Sequence, residues 1–329
     1  MEVRSKALPI VSRNKVLLYI EKDHITFFHI GRCSSTPNGV EYASVTQKIT
    51  WIQGKSQGSI QANLEYYDVK IREAHKSGAS TILLPELFLT DYFAIEEKQE
   101  NFDLAVELKS PEVQHFQKLA AELKLNLSLP IYEKRSSAIF YNSTLMIDEA
   151  GEVNAHYRKM HIPDDPGFSE KYYFTAGDLG FQVADLKELK LGLLICWDQW
   201  FPEAARITAM KGADVIYYPT AIGWDDTEDE SVYQSQLDAW VNIMRSHAIA
   251  NNVYVIAVNR VGREGHLKFW GNSFCADPFG NIIHQDSTEE SITTVDLDLN
   301  KISEARRIWP YFRDRRTDAY GDLTEKWLV

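Results

Sequence analysis

The feature that most constrains this sequence is a strand-to-helix junction that carries one cysteine. Residues 191–195 form an apolar run of strand length that ends at Cys196, and a polar and aromatic turn follows. Pro202 then opens a helical pattern that stops at Gly212. Such an elbow projects one side chain beyond the sheet edge beside free backbone N–H groups, because the first turn of a helix has unpaired donors. This geometry suits a nucleophile, although an arbitrary cysteine is more often a buried, inert side chain.

Two further charged residues stand at the ends of predicted strands. Glu86 follows the apolar run 81–85, and Lys159 follows a strand-like stretch that ends at Arg158. Either residue alone is typical of a solvated surface. A free thiol is ionised to only a few per cent at neutral pH and needs a base or a cation nearby. Glu86 and Lys159 are therefore candidates for those two roles beside Cys196.

The order of predicted elements indicates the fold class. From Lys48 onward strands and helices alternate, with hairpins interspersed, which favours helices covering sheets in an α/β layered domain. Ser110 and Pro111 are typical of a helix start. Residues 160–180 are rich in Pro, Gly, Asp and aromatic residues and predict a long irregular loop, a type of segment that is commonly functional.

The first 45 residues have a different character. Residues 16–20 and 25–30 predict two short strands, and a turn-rich stretch follows them. We expect two regions, an N-terminal extension of unknown role over residues 1–45 and one catalytic domain over residues 46–329.

Composition excludes several classes of protein. The net charge of −12 argues against a nucleic-acid binder and is compatible with a small cationic substrate. Three cysteines, Cys33, Cys196 and Cys275, are too few for a disulfide framework, and no CxxC pair suggests zinc. His156 and His161 lack a further ligand at a suitable spacing, so we expect structural histidines and no metal. No apolar run reaches 18 residues, so we expect no membrane partner and a cytoplasmic protein, where a catalytic thiol stays reduced.

Several longer motifs resemble the nitrilase superfamily of carbon–nitrogen hydrolases, whose sites combine a glutamate, a lysine and a cysteine in this order. The wording is similar to the N-carbamoylputrescine amidase branch in residues 158–164, 170–174, 177–178, 195–206, 218–223 and 312–316. The resemblance runs from about residue 46 to the end of the chain. It implies a single-domain, four-layer αββα sandwich, and it implies a homo-oligomer.

The resemblance also implies a chemistry. Cys196 would be the nucleophile, Glu86 the general base, and Lys159 together with the backbone N–H of Trp197 would stabilise the oxyanion. Glu170 matches a supporting glutamate that orients the lysine and the substrate. The implied reaction hydrolyses N-carbamoylputrescine to putrescine, CO2 and NH3 through a covalent cysteine intermediate, as a step of polyamine biosynthesis, without metal or organic cofactor.

Specificity is expected from the loops around the elbow. Asp225 lies where a carboxylate is expected to meet the distal amine of the substrate, since a buried ammonium needs such a partner. The motif departs from the family over residues 224–230, which offer several acids, so a solvated acidic loop remains an alternative. Asp165 also replaces a usual glycine. The other positions that match the family's pocket are Tyr92, Asp164, Trp197, Thr220, Ala221 and Ile222.

Two alternatives stay open. The same chemistry could act on another N-carbamoyl amine, an N-carbamoyl amino acid or an ω-amide, but a carboxylate-bearing substrate would need a basic residue that the matching positions do not offer. A catalytically silent nitrilase-like binding or scaffold protein is the alternative from another class. The presence of Glu86, Lys159 and Cys196 together argues against it.

Overall fold

A computed structural model describes residues 16–21, 24–29 and 46–328, and the chain divides into two compact units, residues 1–43 and 44–329. In the first unit, strands β1 (Val16–Glu21) and β2 (His24–His29) pair in antiparallel register. The two short strands expected there are thus confirmed. The rest of the expected N-terminal extension, with Cys33, lies outside the described residues.

The second unit alternates strands and helices. Its strands are β3 (Thr46–Gln53), β4 (Thr81–Leu83), β5 (Asn126–Lys134), β6 (Phe140–Ile147), β7 (Val153–Arg158), β8 (Gln182–Asp185), β9 (Lys190–Leu193), β10 (Val215–Thr220), β11 (Gly223–Asp225), β12 (Tyr254–Asn259), β13 (Val261–Glu264), β14 (Leu267–Trp270), β15 (Phe274–Ala276), β16 (Ile282–Gln285) and β17 (Ser291–Asp298). Its α-helices are α1 (Ile60–Lys76), α2 (Pro111–Leu123), α3 (Glu170–Tyr173), α4 (Pro202–Met210), α5 (Tyr233–Asn251) and α6 (Asn300–Ile308).

Two six-stranded sheets form the centre of this unit. We call the sheet with strand order β17-β3-β4-β5-β6-β7 the first sheet, and the sheet with order β16-β15-β12-β10-β9-β8 the second sheet. The pairs β3–β4–β5 and β9–β10–β12 are parallel, and the flanking pairs are antiparallel. Trp51 and Leu83 of the first sheet share one buried cluster with Leu193 and Tyr217 of the second, so the sheets pack face to face.

Helices cover the outer face of each sheet. Helices α1 and α2 contact the first sheet, whereas α4 and α5 contact the second. Ser110 caps α2 as expected, because its hydroxyl accepts from the N–H of Val113 and Pro111 is the first helical residue. The result is the four-layer αββα sandwich that the sequence resemblance implied. Among the described residues, no helix combines the length and apolarity needed to cross a membrane.

Two parts of the site region differ from the sequence-based prediction. The expected irregular loop 160–180 contains the short helix α3. A small third sheet, with strand order β11-β14-β13, was not predicted. Its strands are only three or four residues long and include Gly223, Gly262 and Arg263, so the alternating apolar pattern of a strand is missing.

Candidate active site

The three candidate catalytic residues come from the ends of strands in both sheets. Glu86 follows β4 and Lys159 follows β7 in the first sheet, while Cys196 follows β9 in the second. The ammonium Nζ of Lys159 lies 2.9 Å from Oε1 of Glu86, and both side chains are fully buried. The structure therefore brings these residues, which are 110 positions apart in the chain at most, to the interface between the sheets.

Cys196 lies at the sharp turn that its sequence context predicts. Its φ angle is +40°, and it begins a 3-10 helix, Cys196–Trp200, that leads through Phe201 into α4. A positive φ at a residue other than glycine costs of order 1–3 kcal/mol, and such strain is concentrated at functional sites. The side chain is 6% exposed. The turn thus holds a nearly buried thiol at the floor of a cavity.

The thiol of Cys196 is protonated in the resting protein. Burial raises its pKa well above the ordinary value for cysteine, and the negative charges of Glu86 and Glu170 raise it further. Lys159 and a hydrogen bond from the backbone of Ala221 act in the opposite direction. Attack on a substrate therefore requires a group that takes the thiol proton.

Glu86 has one oxygen free for that proton. Its Oε1 accepts from Nδ2 of Asn142 at 2.7 Å and from Nζ of Lys159 at 2.9 Å. Its Oε2 is buried and has no hydrogen-bond partner among the described residues. Burial raises the pKa of Glu86 despite the opposing charge of Lys159. A buried carboxylate oxygen without a donor, on a group with a raised pKa, is suited to act as a base.

Lys159 is held between two carboxylates. Besides Glu86, its Nζ donates to Oε2 of Glu170 at 2.6 Å. Burial alone would lower the pKa of Lys159, but the charges of Glu170 and Glu86 more than offset this and raise it, so the ammonium stays charged. The supporting position expected for Glu170, at the start of α3, agrees with this contact. Oε1 of Glu170 accepts from the hydroxyl of Tyr92 at 2.8 Å.

The backbone of Lys159 is fixed from both sides. Its N–H donates to the carbonyl of Asn142, and its carbonyl accepts from the N–H of Gly177, each at 2.8 Å. A Cβ atom at Gly177 would lie 2.0 Å from the carbonyl oxygen of Arg158. Only glycine fits this close approach, which gives a physical reason for the Gly-Asp pair noted at residues 177–178.

A cavity of about 640 Å³ adjoins the thiol. Of the predicted pocket residues, Trp197, Ala221, Ile222 and Asp225 line it, together with Glu170 and Cys196. The sequence analysis did not assign Phe168 or Trp200 to the pocket, nor Gln236 and Ala239 of α5. The complete lining is formed by Pro163, Asp165, Pro166, Phe168, Glu170, Cys196, Trp197, Trp200, Ala221, Ile222, Gly223, Asp225, Thr227, Glu228, Gln236, Ala239 and Trp270.

Three predicted pocket residues lie elsewhere. Tyr92 is 1% exposed and sits behind Glu170 as its hydrogen-bond donor. The side chain of Asp164 is 53% exposed and lies 4.0 Å from Lys171. Thr220 is buried, and its hydroxyl donates to the carbonyl of Tyr218. These residues are not among the lining of the cavity, so a direct substrate contact stays a prediction for each of them.

Asp225 is an ionised carboxylate with one oxygen already occupied. Its Oδ1 accepts from the backbone N–H of Thr227 at 2.8 Å and from the Thr227 hydroxyl at 2.7 Å. Its Oδ2 lies 3.6 Å from Nε2 of His266. Burial raises the pKa of Asp225, but the Thr227 hydrogen bonds and the nearby His266 lower it below its usual range. Oδ2 is the oxygen left to meet a ligand.

The two histidines considered as metal ligands have other partners. Nε2 of His156 lies 3.0 Å from Glu133, and Nδ1 of His161 lies 2.7 Å from Asp198. Both contacts are the structural roles that the sequence analysis favoured.

Comparison with known proteins places this geometry in a family. The model of the carbon–nitrogen hydrolase family matches residues 48–307. The chain belongs to the carbon–nitrogen hydrolase family. It is 39% identical to an N-carbamoylputrescine amidase of Arabidopsis thaliana over 285 residues, which cover 84% of this chain and 94% of that protein.

Two further relatives span the same part of the hydrolase. A citrullinase of Francisella tularensis is 39% identical over 85% of this chain and 99% of its own length. The crystal structure of a carbon–nitrogen hydrolase from Helicobacter pylori G27 has a TM-score of 0.84 at 38% identity, over 86% of this chain and 100% of that chain. These similarities confirm the resemblance to the nitrilase superfamily and its N-carbamoylputrescine amidase branch. The chain is an enzyme that hydrolyses amide-type carbon–nitrogen bonds.

Proposed function

We propose that this carbon–nitrogen hydrolase cleaves N-carbamoylputrescine to putrescine, CO2 and NH3 with Cys196 as its nucleophile. The observation that carries the proposal is the cavity at Cys196. Among its described lining residues, Asp165, Asp225 and Glu228 supply carboxylates in addition to Glu170, whereas lysine and arginine are absent. A pocket with this charge favours a substrate whose distal end is an ammonium group.

The first half of the reaction would form a covalent intermediate. Oε2 of Glu86 takes the proton of the Cys196 thiol while the sulfur attacks the carbamoyl carbon. Lys159 and the backbone N–H of Trp197 stabilise the oxyanion of the tetrahedral intermediate. Glu86 then returns the proton to the leaving nitrogen, and a carbamoyl group remains on the sulfur.

The second half would release the enzyme. Glu86 takes a proton from water, whose oxygen attacks the carbamoyl carbon, and the carbon–sulfur bond breaks with return of a proton to Cys196. The carbamic acid that is released decomposes to CO2 and an amine. One water is consumed for each N-carbamoylputrescine, and putrescine, CO2 and NH3 are produced.

Citrulline is the principal competing substrate, because a relative of equal identity is named citrullinase. Citrulline carries an α-carboxylate as well as an α-ammonium group. The lining acids would repel that carboxylate, since like charges in a partly buried site are unfavourable. We therefore place N-carbamoyl amino acids second and ω-amides third, and an inactive binding or scaffold role last.

Ammonia release tests this order. Purified protein is offered N-carbamoylputrescine, citrulline, N-carbamoyl-β-alanine, agmatine and glutamine side by side, with Cys196→Ala as the blank. We expect the highest kcat/KM on N-carbamoylputrescine and no turnover by the blank. A preference for citrulline would keep the mechanism and refute the substrate. Silence on all five compounds would move weight to an untested amide or to the scaffold role.

Asp225→Asn supplies a second arm of the same assay. If Oδ2 of Asp225 meets the distal ammonium, the variant raises KM for N-carbamoylputrescine and leaves kcat on a neutral carbamoyl compound nearly unchanged. An equal effect on both compounds would show that another acid, such as Glu228, receives the amine.

We also propose that the hydrolase is a homo-oligomer of the cytoplasm. Leu323, Trp327 and Leu328 near the C-terminal end are 64%, 79% and 67% exposed, which is unusual for large apolar side chains on a monomer. A reducing compartment would keep the thiol of Cys196 available. Light scattering of the purified protein tests the first proposal, since a mass equal to one chain would refute it.

A further inference from the structure

The catalytic groups of this hydrolase lie on two different sheets, so something must fix the distance between them. Cys196 belongs to the second sheet, and Lys159 belongs to the first. Asp198, two residues after the cysteine, is fully buried and is hydrogen-bonded to the segments that carry both. It plays no part in the proton transfers of the proposed reaction.

One oxygen of Asp198 joins the two sheets directly. Its Oδ2 accepts from the backbone N–H of Ile195 at 3.0 Å, immediately before the nucleophile. The same oxygen accepts from the hydroxyl of Tyr157 at 2.7 Å, on the strand that leads to Lys159. The Tyr157 hydroxyl in turn accepts from the N–H of Met160 at 3.2 Å.

The other oxygen holds the far side of the lysine segment. Oδ1 of Asp198 accepts from the backbone N–H of His161 at 3.1 Å and lies 2.7 Å from its Nδ1. The ring of His161 stacks on Phe201 with centroids 3.8 Å apart and planes 7° apart. Phe201 directly precedes α4, the helix of the cysteine elbow. Lys159 is thus gripped at Tyr157 and at His161 by one carboxylate.

We propose that Asp198 is a positioning residue that sets the placement of Lys159 relative to Cys196 across the sheet interface. The inference rests on the catalytic roles proposed above for those two residues. A fully buried carboxylate with four donors is rigidly placed, because each donor would be left unsatisfied if it moved. In Asp198→Asn an amide NH2 replaces one oxygen and faces N–H or O–H donors, so at least one contact to the two segments is lost.

Asp286 offers a matched control elsewhere in the fold. Its carboxylate accepts from Nε1 of Trp51 at 2.6 Å and from the hydroxyls of Ser291 and Thr293 at 2.7 Å, and it lies 3.0 Å from Nε2 of His284. It is 8% exposed. Asp198 and Asp286 therefore share a buried carboxylate, a histidine partner and four contacts, but the partners of Asp286 lie on β3, β16, β17 and carry no catalytic residue.

The experiment compares Asp198→Asn with Asp286→Asn in the full chain. Measured quantities are kcat and KM on N-carbamoylputrescine, the urea midpoint, and the pH dependence of Cys196 alkylation by iodoacetamide. A displacement of about 1 Å costs on the order of 100-fold in rate. We expect Asp198→Asn to lower kcat about 100-fold with KM within about 3-fold, and Asp286→Asn to leave kcat within about 3-fold.

Alkylation reads the placement of Lys159 without any substrate. The groups that face the Cys196 sulfur are Glu86, Lys159 and Glu170, and Lys159 is the only cation among them. If Lys159 moves away, the thiolate loses its stabilising charge, so alkylation of Asp198→Asn shifts to higher pH. The alkylation profile of Asp286→Asn should coincide with that of the wild type.

Tyr157→Phe keeps the test decisive if Asp198→Asn does not fold. It removes one donor to Asp198 and leaves the ring in place, so it should produce the same alkylation shift in smaller size. Equal losses of kcat in Asp198→Asn and Asp286→Asn, in proportion to their folded fractions, would overturn the proposal. So would wild-type alkylation profiles in both Asp198→Asn and Tyr157→Phe. If the wild type hydrolyses none of the amides, the alkylation profiles alone decide, which separates this inference from the proposed function.

Discussion

Two buried glutamates of this hydrolase meet two consecutive cations, yet their surroundings differ. Arg158 is the last residue of β7 and reaches Glu133, whereas Lys159 follows it and reaches Glu86. Successive side chains of a strand point to opposite faces, which separates the two pairs. Both carboxylates are fully buried. Burial and an opposite charge are therefore common to both and cannot explain why one is a candidate base.

The oxygens of Glu133 are fully occupied. Oε2 accepts from the hydroxyl of Ser143 at 2.6 Å and Nε of Arg158 at 2.9 Å, and it lies 3.0 Å from His156. Oε1 accepts from the Nη2 of Arg158. Burial alone would raise the pKa of Glu133, but hydrogen bonds from His156, Arg158 and Ser143 lower it to about 2. A carboxylate in this state is an anchor and has no capacity for a proton at neutral pH.

Glu86 has one donor-free oxygen, and its pKa is raised. The comparison teaches that the number of donors, and not burial or the cation alone, separates a structural carboxylate from a base in this fold. Three predictions sharpen or break that comparison.

The largest effect is expected from Glu86→Gln. The amide cannot take the thiol proton, and loss of a general base costs about 10²–10⁴-fold. We expect kcat on the preferred amide to fall about 1000-fold, while the urea midpoint changes less than in Glu133→Gln because Lys159 keeps Glu170. Steady-state kinetics and urea unfolding measure both. A Glu86→Gln enzyme with more than a tenth of the wild-type kcat would remove Glu86 as the base.

Glu133→Gln should show the opposite pattern. Removing one partner of a buried ion pair leaves an uncompensated charge on Arg158, although Asp178 still lies 2.8 Å from its Nη1. We expect the free energy of unfolding to fall by about 3 kcal/mol. The kcat of the folded fraction should stay within about 3-fold of the wild type. A loss of kcat as large as that of Glu86→Gln, with unchanged stability, would contradict the distinction between the two glutamates.

The smallest effect concerns stability at low pH. The pKa of Glu133 is about 2 in the folded protein and near 4.5 when unfolded, so the unfolded state binds the proton first. The stability that Glu133 supplies is fully present above about pH 4.5 and is lost as the pH falls towards 2. Urea midpoints between pH 6 and pH 3 should therefore decline more steeply for the wild type than for Glu133→Gln. Parallel slopes in the two proteins would show that the donors of Glu133 do not depress its pKa.

Local patterns in the sequence were enough to predict much of the fold. The apolar stripes of α1 and α2, the Ser110 cap and the strand that delivers Cys196 all depend on neighbours within a few positions. The resemblance of long motifs added the four-layer sandwich and the identity of Glu86, Lys159 and Cys196. Short strands without alternation, β11, β13 and β14, carried no comparable signal.

What the sequence determined by itself is which residues have the chemistry for the reaction and which elements carry them, because helical and strand periodicities and the cysteine elbow are local. Only the tertiary structure decided how each polar atom is satisfied. The donors to Glu86 lie 56 and 73 positions away in the chain, and the Tyr157 hydroxyl that reaches Asp198 lies 41 positions away. Hydrogen-bond saturation at such distances depends on how two sheets pack, and no local pattern encodes it.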